Sequence, residues 1–242
     1  MQRMVKAATW VVAAVLAGSA GSAVRADNAV IKGKIIFNGS DGNYKRTVIN
    51  TKKDPNCAKS IKRIGTENVI INKKTDPETL RNVMVFVKSG IDKKYDPPSE
   101  PVVLNQHGCH YEPHVLGVME GQPLEVLNSD DTNHNIHFLP TKNQQVNFTQ
   151  PKKGMKRNVE LEAEGPFKVK CDVHPWMGCY IAVFKHPFFD VTGKDGTFEL
   201  KGLPAGTYTI EAWHEEFGSQ TMEVTVGTDE TKDVDFTFKP KS

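Results

Sequence analysis

No apolar run in the sequence is long enough to cross a bilayer. The longest, Ala7 to Leu16, falls well short of the ~20 residues a spanning helix needs. No stretch of ten or more residues keeps a 3.6-residue period, which argues against a helical protein. A strong charge of one sign is also missing, with 31 basic residues facing 29 acidic ones. That balance gives no electrostatic case for nucleic acid or an anionic membrane. Cysteine is scarce, only four in 242 residues.

What is present fits a soluble globular chain of one or two domains, 38% hydrophobic and 25% charged. The first 26 residues read as a removable leader. Met1 to Lys6 is basic, Ala7 to Leu16 apolar, and small residues lead to Val24-Arg25-Ala26. Arg3, Lys6 and Arg25 leave with it, so 28 basic and 29 acidic residues remain, a formal net of −1. The expected location is periplasmic or otherwise secreted, with no membrane span in the mature chain.

Beyond the leader, short strands alternate with Gly, Pro, Asn and Asp turns. Val30–Phe37, 81–87, 102–104, 115–119, 123–127, 135–139, 158–162, 166–171 and 179–184 all read as strands. A short helical turn is expected at 76–80, and 142–153 reads mostly as loop. After Pro187 the character shifts. Lys194-Asp-Gly and Lys201-Gly-Leu-Pro-Ala-Gly206 punctuate strands up to Phe238. The pattern predicts an all-β protein built of sandwiches. Its expected parts are the leader 1–26, a β segment 27–98, a central domain 99–186 and a β domain 187–242.

The chemistry concentrates in 167–184. There an alternating strand runs into a loop carrying Cys171, His174 and Met177, and a second strand leaves it. A thiolate, an imidazole and a thioether suit a copper ion that cycles between two oxidation states. A second imidazole comes from His134, at the start of another strand. A lone buried Cys or His is usually structural, but that reading does not explain four donors in this order. Zinc could also use the Cys and His pair, which leaves the Met idle. If Cys171 is a metal thiolate, one bridge and one spare thiol remain. Cys57–Cys109 is the expected bridge, because both flank turn-rich stretches. Cys179 is expected to be a packed free thiol.

Cys171-x2-His174-Pro-x-Met177, preceded by His134-Asn-Ile-His137-Phe, resembles the type 1 copper site of cupredoxins with an amicyanin-like loop. The match spans roughly 100–186. The resemblance implies a Greek-key sandwich, a mononuclear copper held by His134, Cys171, His174 and axial Met177, and hydrogen bonds from Asn135 tying the ligand loops together. If His174 stands at the solvent edge, Pro175 and Trp176 form an apolar docking rim around it. His137 is read as lying beside the site or on the surface. His107, His110 and His114 form a separate cluster that could hold a second metal. Gly196-Thr-Phe-Glu-Leu200 through Gly206-Thr-Tyr208 resembles transthyretin-like, carboxypeptidase regulatory-like β-sandwiches. Gly33–Phe37 and Asn82–Val87 are read as that domain's first strands, with the cupredoxin inserted between them and Asp190.

The implied function is single-electron transport between redox proteins, without enzymatic turnover. A c-type cytochrome or periplasmic dehydrogenase is the implied partner, since the whole resembles plastocyanin-like methylamine-utilisation proteins. The alternative is a copper-binding or carbohydrate and cell-surface binding module with no electron-transfer role.

Overall fold

A computed structural model describes residues 28–39, 44–60 and 64–240. The expected leader lies outside the described residues. Strand β1 (Ala29–Phe37) buries Ala29, Ile31, Ile35 and Phe37 along one face, as its alternation dictates. Helix α1 (Pro55–Ser60) follows, then β2 (Ile71–Asn72), β3 (Thr79–Leu80) and β4 (Met84–Ser89). The middle of the chain supplies β5 (Val102–His107), β6 (His110–Glu112), β7 (Val115–Met119), β8 (Leu124–Asn128) and β9 (His134–Leu139). It continues with β10 (Asn147–Gln150), β11 (Lys156–Val159), β12 (Glu164–Lys170) and β13 (Gly178–Phe184). The last strands are β14 (Phe189–Val191), β15 (Thr197–Leu203), β16 (Gly206–His214), β17 (Gly218–Val226), β18 (Thr231–Asp233) and β19 (Phe236–Phe238). Among the described residues the fold is all-β apart from α1. Among the described residues, no helix is long and apolar enough to cross a membrane.

These strands form two packed pairs of sheets. In the first pair, the sheet β15-β1-β3-β2, with β18 and β19 also on β1, faces β14-β4-β16-β17. Ile31, Ile35, Val85, Tyr208, Ile210 and Phe236 belong to the core they share. In the second pair, β10-β9-β12-β13-β7 faces β11-β8-β5-β6 around Leu104, Leu124, Ile136, Phe138, Val169 and Ile181. Early strands β1 and β4 thus pair with late strands β15 and β16, and β5 to β13 intervene between β4 and β14. A third apolar layer joins the two pairs. There Met84 and Phe86 pack with Val115, Ala182 and Phe184.

The segment 27–98 does not all stay with the first pair of sheets. Cys57 and Ile64 belong to the second core, where Cys57 is bridged to Cys109. No helical turn forms at 76–80; Thr79 and Leu80 there are β3, paired with β1 and β2. The helix forms at 55–60 because Asp54 accepts hydrogen bonds from the Asn56 and Cys57 N–H groups, with Pro55 at the first helical position. Inside the expected loop 142–153, β10 pairs with β9, because Asn147 to Gln150 lie opposite His137 to His134. The turn before β15 needs its glycine. Gly196 has φ +68°, and a Cβ there would lie 2.3 Å from the Thr79 side chain.

Candidate metal centre

Strand register brings the donors together. His134 opens β9, and β9 pairs with β12, whose end leads into Cys171. The loop then returns as β13, which pairs with β12 from Lys170↔Gly178 onward. Two backbone hydrogen bonds close the loop, Cys171 N–H to the Met177 carbonyl at 3.2 Å and Met177 N–H to the His174 carbonyl at 2.9 Å. His134, Cys171, His174 and Met177 are all buried, at 2% exposure or less.

The ligand atoms of His134, Cys171 and His174 all lie within 4.8 Å of one another. The two Nδ1 atoms are 3.1 Å apart, and Cys171 Sγ is 3.8 Å from His174 Nδ1. Nitrogens bound to one metal at ~2.0–2.1 Å with near-tetrahedral angles sit ~3.1–3.4 Å apart, so the spacing fits a shared ion. The outer nitrogens strengthen the case. His134 Nε2 donates to Asp130 Oδ2 at 2.9 Å, and His174 Nε2 donates to Asp54 Oδ2 at 3.1 Å. An ionised carboxylate only accepts, so each Nε2 must carry its proton. In the neutral rings both Nδ1 lone pairs then face each other beside a sulfur. Such an arrangement calls for a cation, either a proton or a metal.

The titration behaviour agrees. Burial alone would raise the Cys171 thiol. Hydrogen bonds from His134, His174 and the Asn135 and His174 backbone N–H groups outweigh it and bring the pKa down to about 6. Burial disfavours a charged His134 ring, but Asp130 and Cys171 overcome that and raise its pKa. His174 is likewise opposed by burial and raised by Cys171 and Asp54. A thiolate beside imidazoles that hold protons readily is a site prepared to exchange protons for a metal ion.

Asn135 bonds on both sides of the site. Its Oδ1 accepts the Asp172 N–H at 3.0 Å, linking β9 to the ligand loop, and its Nδ2 donates to Asn147 and to the Phe148 carbonyl. Tyr111, buried at 1% exposure, donates its hydroxyl to the Asn135 carbonyl at 2.6 Å. His137 lies off the site, hydrogen-bonded with Asp172 and Gln145. The Cys57–Cys109 bridge is present, while Cys171 and Cys179 are free and buried. Burial holds the Cys179 thiol well above its ordinary pKa.

Two expectations change. His174 is not at a solvent edge. It is 2% exposed, with Asp54 on its Nε2 and Cys57 Sγ 3.6 Å from the same atom. Pro175 is exposed, whereas Trp176 is only partly so. The Trp176 ring packs 5.0 Å from His174 and donates its indole N–H to the Cys109 carbonyl. The histidine cluster also separates. His107 and His110 pair across the β5–β6 hairpin and both contact Glu112, while His114 hydrogen-bonds with Glu215 and lies 3.8 Å from Glu67. Asp54 and Asp130, which hold the imidazoles, escaped the sequence reading. Asp54-Pro-Asn-Cys57 is a helix-start signature and Asp130 lies in a polar turn, and neither pattern by itself points to a histidine partner.

Residues 181–239 match the family model for the carboxypeptidase regulatory-like domain. No curated protein matches the chain. Among solved structures, a copper-containing nitrite reductase from Thermus scotoductus SA-01 is 22% identical over 40% of this chain, with TM-score 0.32. The chain spans only 25% of that reductase. A Cu(I) amicyanin variant is 21% identical over 41% of this chain and 97% of its own, with TM-score 0.31. A purple cupredoxin from Nitrosopumilus maritimus is 23% identical over 34% of this chain and 97% of its own, with TM-score 0.28. At these scores the structural likenesses add nothing to what the donor geometry says.

Proposed function

We propose that the chain is an exported mononuclear copper protein of the type 1 kind, carrying single electrons between redox proteins. The observation that carries this reading is the pair of Nδ1 atoms facing each other at 3.1 Å beside a low-pKa thiol, with both Nε2 protons committed to carboxylates. His134 Nδ1, His174 Nδ1 and Cys171 Sγ would hold the ion, with the buried Met177 as the weak fourth donor. Copper bound there supplies a one-electron couple. The chain's part is to keep the donors still. Strands β9, β12 and β13 fix two ends of the site, and the loop between Cys171 and Met177 is closed by its own hydrogen bonds. Fixed donors keep reorganisation small when the ion changes charge. The N–H groups of Asn135 and His174 direct partial positive charge at the thiolate, which tempers its donor strength.

In this reading the protein is not an enzyme, and its partners are redox proteins such as a c-type cytochrome or a periplasmic dehydrogenase. The Cys57–Cys109 disulfide suits an oxidising compartment, as export would require.

A second reading, a copper-holding module without a redox partner, has one observation in its favour. The His174 ring edge is covered by Asp54 and Cys57 rather than open to a docking protein.

The deciding experiment loads the purified protein with Cu(II). The electron-carrier reading expects one copper per chain, an intense visible thiolate-to-copper absorption that disappears in Cys171→Ser, and rapid oxidation of the Cu(I) form by a soluble cytochrome. Colourless copper protein would overturn the type 1 assignment. Strong colour with slow reaction toward every cytochrome tried would favour the holding module.

A further inference from the structure

The two imidazoles are braced by a structure that the ligand motif does not contain. Asp54 accepts from His174 Nε2 through Oδ2, and through Oδ1 it caps the N–H groups of Asn56 and Cys57. Asp130 accepts from His134 Nε2 through Oδ2. Its two oxygens also take the N–H groups of Gly108 and Cys109, each at 2.7 Å. Those two residues form the turn of the β5–β6 hairpin, both at positive φ, and Cys109 there is a non-glycine residue at +56°. The Cys57–Cys109 bridge then joins the two braces, and Thr132 Oγ1 donates to Asp54 Oδ2 at 3.1 Å from the Asp130 side. The result is a closed circuit, His134–Asp130–Cys109–Cys57–Asp54–His174, whose open gap is the 3.1 Å between the Nδ1 atoms.

We infer that Asp54 and Asp130 are positioning residues. Clasped by the disulfide, they lock both rings with Nε2 protonated and Nδ1 facing the metal position, so the segment around α1 is a working part of the metal centre. This deepens the proposed function and rests on its assignment of His134 and His174 as ligands. A carboxylate on the outer nitrogen fixes the tautomer and the ring plane, and losing it typically costs a metal site 10–100-fold in affinity or activity. What is unusual here is the origin of the braces. One comes from a segment some 80 residues before His134 in sequence, and the Cys57–Cys109 bridge ties that segment to the β5–β6 hairpin beside the site.

Asp54 also caps α1, so Asp54→Ala would confound bracing with folding. Asp54→Ser keeps a good helix cap but is too short to reach His174. Heteronuclear NMR of the ring nitrogens in the metal-free, disulfide-intact protein reads each Nε2–H directly. Both rings should show Nε2–H in the wild type. In Asp54→Ser, His174 should lose that fixed state while His134 keeps it, and transfer of Cu(I) to a competing chelator should quicken about tenfold or more. An unchanged His174 signal, or a transfer rate within about twofold of wild type, would overturn the inference. If the wild type takes up no copper yet its rings respond as described, the positioning role stands and the copper function falls. If copper is held but Asp54→Ser changes nothing, the positioning role alone falls.

Discussion

His134 and His174 face each other through their Nδ1 atoms at 3.1 Å, while each ring's Nε2 rests on an aspartate. With Cys171 Sγ alongside, a cation is required at that point, and in the metal-free protein only a proton can provide it. In the proposed copper site, proton and metal would compete for that point.

Metal uptake should release protons near neutral pH. Cys171 titrates at about 6, so at pH 7 it is already mostly thiolate. Burial opposes charge on the imidazoles, but Asp130, Asp54 and Cys171 raise their pKa values, so they hold a proton more readily than free rings. Calorimetry in buffers of different ionisation enthalpy should find protons released as Cu(I) binds at pH 7. Below pH 6 the thiol proton must leave too, and affinity should fall about tenfold per pH unit for each proton displaced. Affinity independent of pH between 5 and 8 would contradict the coupled site.

Tyr111 gives a test one step outside the ligands. Its hydroxyl satisfies the carbonyl of Asn135, whose N–H in turn points at Cys171. Tyr111→Phe keeps the ring packed but leaves a buried carbonyl without its partner. The expected loss is about 1–3 kcal/mol in denaturant unfolding. It should be accompanied by a shift in the thiolate-to-copper absorption, because Asn135 is freer to move. Unchanged stability together with an unchanged spectrum would show that this hydrogen bond matters to neither.

Much of this site was legible in the sequence, and the reason is local. Cys171, His174 and Met177 share one loop between two alternating strands, so their proximity needs no knowledge of tertiary structure. The role of Asn135 came from the cupredoxin resemblance alone. The braces were not legible, because Asp54 reaches His174 across 120 positions through a helix cap and a disulfide. The same contact overturns the expectation of a solvent-edge His174. Exposure of a loop depends on what folds over it, and here residues from α1 do. Strand β1 was legible from its alternation and β4 from its run of apolar residues. Their pairing with β15 and β16 is a long-range matter that alternation cannot specify.

Glu164 should set part of the acid stability. Its carboxylate accepts from the Thr141, Lys142 and Asn143 backbone and from the Thr141 and Asn143 side chains. Burial opposes the charge, but these donors outweigh it and hold the pKa at about 2 against an ordinary 4.5. A lowered carboxyl pKa contributes stability that is fully present above about pH 4.5 and is lost as pH falls toward 2. Glu164→Gln should cost about 1–3 kcal/mol at pH 7 and flatten the stability profile between pH 4.5 and 2. An equal acid slope in both proteins would refute the assignment.

The disulfide should matter to stability and to the metal by separable amounts. Cys57 and Cys109 are 52 residues apart, and closing a loop of that length restricts the unfolded chain by about 4 kcal/mol in the chain-entropy model. Cys57→Ser with Cys109→Ser should therefore lower unfolding stability by up to about that amount. Ligands His134, Cys171 and His174 remain in this variant, so it should still bind one copper per chain. Retention should drop, because α1 is no longer tied over His174 and Asp54 holds the ring only through its own hydrogen bond. Comparing copper transfer to a chelator under conditions where both proteins are fully folded isolates that effect. Faster transfer at equal folding would mean that the bridge acts on the metal centre itself. Equal transfer would confine its role to the unfolded chain.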